Sequence, residues 1–207
     1  SDFWRAVACS GDNVESTRPD AEGEAQPPRT NTKSWIMQGA SFSGNERNHL
    51  FMQFQGGFSE LSGVSGANSI GDGRAFGWLD FNDDGLRDFV LVNANAPRVQ
   101  LFENQIDNAG GSVQIKLVGG ARVDESEGWS NRDGVGALVT VRIGETVTAF
   151  ETHAGEGFAS QNSAAIIVGL GAAPMIDNIT VKWPSGREQY ILNVQSGSQL
   201  LVSERQE

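Results

Sequence analysis

A chain of 207 residues with a formal charge of −11 is long enough to bury a core without a disulfide staple. Its single cysteine, Cys9, and its two histidines, His49 and His153, exclude an intramolecular disulfide and any cysteine-rich or histidine-rich zinc site. The negative charge disfavours nucleic acid and anionic lipid, since phosphate is held by clustered Lys and Arg, and no apolar run has the length of a transmembrane helix.

Residues 1–34 include SGDNVESTRPDAEGEAQPPRTNT and contain little large apolar content beyond Phe3, Trp4 and Val7. They read as an extended polar tail that cannot order itself, because it has too little surface to bury against the entropy of fixing its backbone. If ordered, it must be held by a protein partner or by its own domain; the partner is favoured, with Phe3 and Trp4 as anchors. Ser1 in place of Met allows for a signal peptide already removed.

From Trp35 the pattern changes to short β-type runs separated by Gly, Asn, Asp and Ser. These are HLFMQF, RAFGWLDF, DFVLVNA, VQLFENQ, VQIKLVG, ALVTVRIG, TVTAFETH, AAIIVGLG, NITVKW, QYILNV and QLLVSE. Val139, Val141 and Ile143 alternate with Thr140 and Arg142, which predicts a strand with one buried and one wet face. No segment of convincing length has a helical period, and WPSGR, Trp183 to Arg187, reads as a hairpin turn. The expected fold is all-β. Residues 35–108 would form an antiparallel unit resembling one propeller blade, and 109–207 a sandwich or barrel-like domain, with the boundary near Asn108–Ser112.

DFNDDGLRD, Asp80 to Asp88, places four carboxylates in nine residues. Such crowding opposes closure of a loop unless something compensates the like charges. Asp80, Asn82, Asp84, the Leu86 carbonyl and Asp88 fall at positions 1, 3, 5, 7 and 9, with Gly85 at 6 for the sharp turn. Hard oxygens at alternate positions are what Ca²⁺ requires, and a divalent ion reverses the sign of the local electrostatics. Leu91, not Glu, stands at position 12, so this is a strand-loop-strand site and not an EF-hand. Asp83, at an even position, is expected to face solvent. The bland reading is an acidic turn whose Asx side chains cap local amides.

Other candidates carry less. His153 with Glu151 and Glu156 could suggest acid–base chemistry, but a hydrogen-bonded histidine at a strand end explains it as well. No nucleophile elbow, HExxH or P-loop is present. Asn131 and Asp133 read as an Asx turn rather than a second cation site. The five tryptophans are spread along the chain, so core and turn packing is the default for each; Trp129 and Trp183, beside turns, are also candidates for a glycan or protein contact.

WLDFNDDGLRDFVLVN followed by VQLFENQ resembles an FG-GAP or VCBS-type repeat. SNRDGVGALVTV, GEGFASQNS, VGLG and VKWPSGR resemble the ASPIC/UnbV domain, and the pairing, with GNERNHLF upstream, is similar to the bacterial relatives of cartilage acidic protein. The resemblance implies a calcium loop between two blade strands and a periplasmic or extracellular address. There is sequence for one blade, whose open edges need cover. The expectation is an exported, non-catalytic, calcium-binding interaction or assembly module, an extrinsic subunit of a larger membrane-bound complex engaged through its tail. The alternatives are a free-standing adhesion or glycan-binding module and an enzyme using the His153/Glu156 region.

Overall fold

The computed structural model of the chain describes residues 4–9, 41, 45–54, 56–107 and 110–205. Phe3, tail residues 10–34, Trp35, Gly44 and the expected boundary residues Asn108 and Ala109 lie outside the described residues. The chain divides into two compact units, one formed by 1–76 with 89–105 and the other by 77–88 with 106–207. The fold is all-β: among the described residues there is one helix, the single turn α1 (Ser62–Ser65).

β1 (Trp4–Cys9), β6 (Val99–Asn104), β5 (Asp88–Asn93) and β4 (Gly73–Leu79) lie in that order in one sheet, of which all but 77–79 of β4 and Asp88 of β5 belongs to the first unit. β1 runs antiparallel to β6, with Trp4 opposite Asn104, Cys9 opposite Gln100 and an irregularity between Ala6 and Ala8. This start of the polar tail is therefore held in cis, by backbone pairing with its own chain. β2 (Phe51–Phe54) and β3 (Gly57–Glu60) form a separate hairpin. Phe89 and Phe102 stack in the sheet at 4.6 Å between ring centroids. Beside them is a polar centre: Asn93 Nδ2 donates to the Pro97 carbonyl (2.7 Å) and to Gln100 Oε1 (3.0 Å), while Asn95 Oδ1 accepts from the Asp72 amide (2.9 Å). Asp72 is buried there and accepts from Ser41 Oγ.

The second unit is a sandwich-like pair of sheets. One has the order β10 (Ile166–Gly171), β7 (Gly111–Val118), β13 (Gln199–Ser203). The other has the order β12 (Glu188–Gln195), β11 (Met175–Lys182), β8 (Leu138–Ile143), β9 (Thr146–Glu151). β7 pairs antiparallel with β10 and parallel with β13; the second sheet is antiparallel throughout. Two-residue alternation supplies the core. Val113, Ile115 and Leu117 of β7 meet Val139 and Val141 of β8 and Ile179 and Val181 of β11 in one buried cluster. Thr140 and Arg142 face outward as expected. The alternation changes phase between Ile176 and Ile179, where Asn193 on the neighbouring strand has a φ of 56°. Trp183 closes the core at the WPSGR turn and donates from Nε1 to Gln189 Oε1 (2.8 Å). The turn itself forms, with the Trp183 amide donating to the Arg187 carbonyl (2.9 Å).

Candidate functional site

The acidic loop begins after β4 and ends where Asp88 opens β5. Asp80 Oδ1 accepts from the Asp84 amide (3.1 Å), and Asp80 Oδ2 accepts from the Gly85 amide (2.8 Å) and from the side-chain amide of Gln114. Asn82 Oδ1 turns to the same Asp84 amide (3.3 Å), and its Nδ2 donates to Asp84 Oδ2 (2.9 Å). Asp84 Oδ1 accepts from the Leu86 amide (2.8 Å); Asp88, 0% exposed, accepts at Oδ2 from the Phe81 amide (3.0 Å). Asp80, Asn82 and Asp84 are thus brought together around one amide, Leu86 is tied in through its own amide, and Asp88 closes the base. Asp83 is exposed, at a φ of 58°.

Gly85 is required twice over. Its φ is +82°, and a Cβ there would lie 2.0 Å from Ser112 Oγ, a clash on top of left-handed backbone. In this arrangement backbone amides supply the partial positive charge that relieves the carboxylate crowding. Among the described residues, no group of three or more His, Cys, Asp or Glu side chains is arranged to hold a metal ion. The donor set is nonetheless all hard oxygen, the chemistry that suits calcium.

A second cluster escaped the sequence reading. Glu204, next to the last described residue and 4% exposed, accepts from the amides of Gly120 (2.7 Å) and Ser130 (2.9 Å), and from the hydroxyls of Ser130 (3.0 Å) and Ser185. Arg187 Nη1 lies 3.5 Å from its Oε1. Burial alone would raise this carboxyl, but the hydrogen bonds from Ser185, Gly120 and Ser130 outweigh it and hold the group below its ordinary 4.5. Trp129, for which turn packing is the default and an exposed contact the alternative, is half-buried, with the guanidinium groups of Arg187 and Arg205 at 3.8 and 4.2 Å from its ring centre. Trp183 is 3% exposed, so neither indole is a free platform. Gly120 makes this possible, because a Cβ there would lie 2.2 Å from the Trp129 ring. The cluster ties the 119–130 loop, the WPSGR turn and the C-terminal strand together; it is structural. A Glu in SERQE gives no local sign of it.

Within the second unit lies a cleft of about 570 Å³, of the size that takes small ligands or single side chains. Trp78, Phe150, Arg87, Asp133, Glu151, His153 and Glu156 line it, together with 161–167. The Trp78 amide donates to Asn162 Oδ1 (2.9 Å), its carbonyl accepts from the Ser163 amide (2.8 Å), and Asn162 Nδ2 donates to Glu156. His153 Nε2 lies 3.9 Å from Glu151 Oε2, both exposed. Asn131 makes the expected turn, bonding the amide (2.9 Å) and the carbonyl (2.8 Å) of Val135. Beside it, the Arg132 guanidinium holds the Asp133 carboxyl below its ordinary value.

Residues 128–207 match the ASPIC and UnbV family. No curated protein matches the chain.

Proposed function

We propose that the chain is an exported, non-catalytic β protein that binds calcium in the Asp80–Asp88 loop and works as an interaction or assembly module. The observation that carries the reading is the inward turn of Asp80 and Asn82 onto the single amide of Asp84, which gathers hard oxygens in one tight loop. Asp80, Asn82, Asp84, the Leu86 carbonyl and Asp88 would hold the ion, and its charge would add to the amide dipoles that already offset the carboxylates. The FG-GAP or VCBS resemblance of residues 35–108 belongs to this proposal, supported by a loop that joins neighbouring strands of a four-stranded sheet. So does a periplasmic or extracellular address, where free calcium is high enough to load a modest site.

We place the chain in a larger, membrane-bound assembly as an extrinsic protein subunit. No described helix is long and apolar enough to cross a membrane, and the acidic charge argues against nucleic acid. Trp4–Cys9 are engaged with β6, so contact through the tail falls to the segment after Cys9. The free-standing adhesion or glycan-binding reading and the enzyme reading both draw on the cleft; there Glu156 already accepts from Asn162 and His153 stands exposed.

Calcium decides the central point. At 100 to 1,000 times its dissociation constant the ion should stabilise the fold by about 2 to 4 kcal/mol, and Asp84→Ala should remove most of that gain. A melting temperature unchanged by chelator at neutral pH would sink the assignment.

A further inference from the structure

We infer that the cleft of the second unit receives a positively charged side chain, lysine or arginine, presented by a protein partner. This deepens the reading of the chain as a protein-binding module and rests on it. The inference comes from the charge and the aromatic surface of the residues that line the cleft. Its amides and hydroxyls are engaged in part with the chain itself: Gln161 with the Gly155 amide and the His153 carbonyl, Asn162 with Trp78 and Glu156, Thr152 with the Gly134 carbonyl, and Ser163, as acceptor, with the Ala165 amide. The charged acceptors among the lining residues are the carboxylates of Glu151, Glu156 and Asp133.

These three carboxylates face one guanidinium among the lining residues, Arg87, which donates to the Ile167 carbonyl (3.3 Å). Three negative charges against one positive leave an excess of two. Asp133 is also paired with Arg132 outside the lining, at 2.9 Å on the surface, where such a pair is weak and exchangeable. An anion is repelled by this balance. A cation with several N–H groups fits the acceptors. Trp78 and Phe150 supply aromatic surface that favours a cation and the methylene stem behind it.

The rest of a peptide has a contact on the same loop. Phe158, 78% exposed, sits between Glu156 and Gln161. The loop that carries it is fixed by Gln161 and by Ser160 Oγ, which donates to the Glu156 carbonyl (2.9 Å). An apolar ring held in water on a fixed loop gains free energy when a partner covers it.

The test uses the full isotope-labelled chain in calcium-containing buffer. The probes are the capped peptide acetyl-Gly-Arg-Gly-Arg-Gly-amide, its citrulline counterpart and a neutral trisaccharide. Saturable NMR shifts are expected at the Trp78 indole and the 150–167 amides with the arginine peptide. Binding should weaken by about tenfold or more with citrulline, and likewise in the Glu151→Gln/Glu156→Gln double variant, as loss of charge-assisted bonds implies. Glu188→Gln, a surface carboxylate outside the cleft, should bind as the parent does. Equal binding of the citrulline peptide or the trisaccharide, shifts centred elsewhere, or no saturable shift at millimolar peptide would overturn the proposal. Partner capture that survives the double variant would overturn the cleft and leave the module reading standing.

Discussion

Glu204 shows how one residue can hold three segments at once. A carboxylate buried among two amides and two hydroxyls stays charged because each oxygen is satisfied, and removing the charge leaves donors without an adequate acceptor. Glu204→Gln should therefore cost roughly 1.5 to 3 kcal/mol at neutral pH, read from urea denaturation. The pH dependence has a definite sign. The folded carboxyl lies below its ordinary 4.5, so its contribution is full above that value and is lost as pH falls through the folded one. The gap between parent and variant should narrow when the titrations are repeated below pH 4.5. A gap that stays constant with pH would show that Glu204 acts by shape and not by charge. Asp80, Asn82 and Asp84 were legible as a group from spacing alone, because alternate side chains of one tight loop can turn onto a shared backbone amide. Glu204 was not, since its partners lie from 17 to 84 residues away in sequence.

Among the elements, the strands with clean alternation were the readable ones. Val139, Val141, Ile143 and the WPSGR turn announced β8 and the β11–β12 hairpin, because a half-buried sheet imposes a period of two. β1 had no such signal. WRAVAC lies in a polar, proline-containing segment, and what orders it is the ladder of bonds to β6, which no local pattern encodes. Deleting residues 1–9 should open the β6 edge and lower the stability of the first unit by about 1 to 5 kcal/mol, at a few tenths to one for each of the five lost cross-strand pairs. Hydrogen exchange at the β6 amides is the direct readout. Unchanged protection there would mean that β1 adds nothing to the sheet.

For the whole molecule, the grouping of 77–88 with 106–207 means that neither unit is one continuous stretch of sequence. Trp78 bonds to Asn162 and Ser163, and Asp80 to Gln114, all within the second unit. A fragment of residues 106–207 retains the sandwich core and should fold cooperatively. It should be less stable than a fragment of 77–207 by about 2 to 4 kcal/mol, up to one for each of the four lost bonds, the exposed bond from Arg87 to the Ile167 carbonyl included. Denaturation midpoints compare them, and equal midpoints would show that the loop adds nothing to the sandwich.

Sequence by itself determined the β character, the strands whose faces differ in polarity, the turn glycines and the oxygen spacing of the acidic loop. These are local properties, set by periods of two and by the few residues that tolerate left-handed backbone. Tertiary structure decided the rest. It buried Trp183 and covered Trp129, which a reading by position offered as contact residues. It held the start of the tail in cis on β6. It also assembled the cleft from Trp78, Arg87, Asp133, Phe150 and the 151–167 segment. These outcomes depend on pairings between residues far apart in the chain, whose free energy comes from burial and from hydrogen bonds closed only when the segments meet.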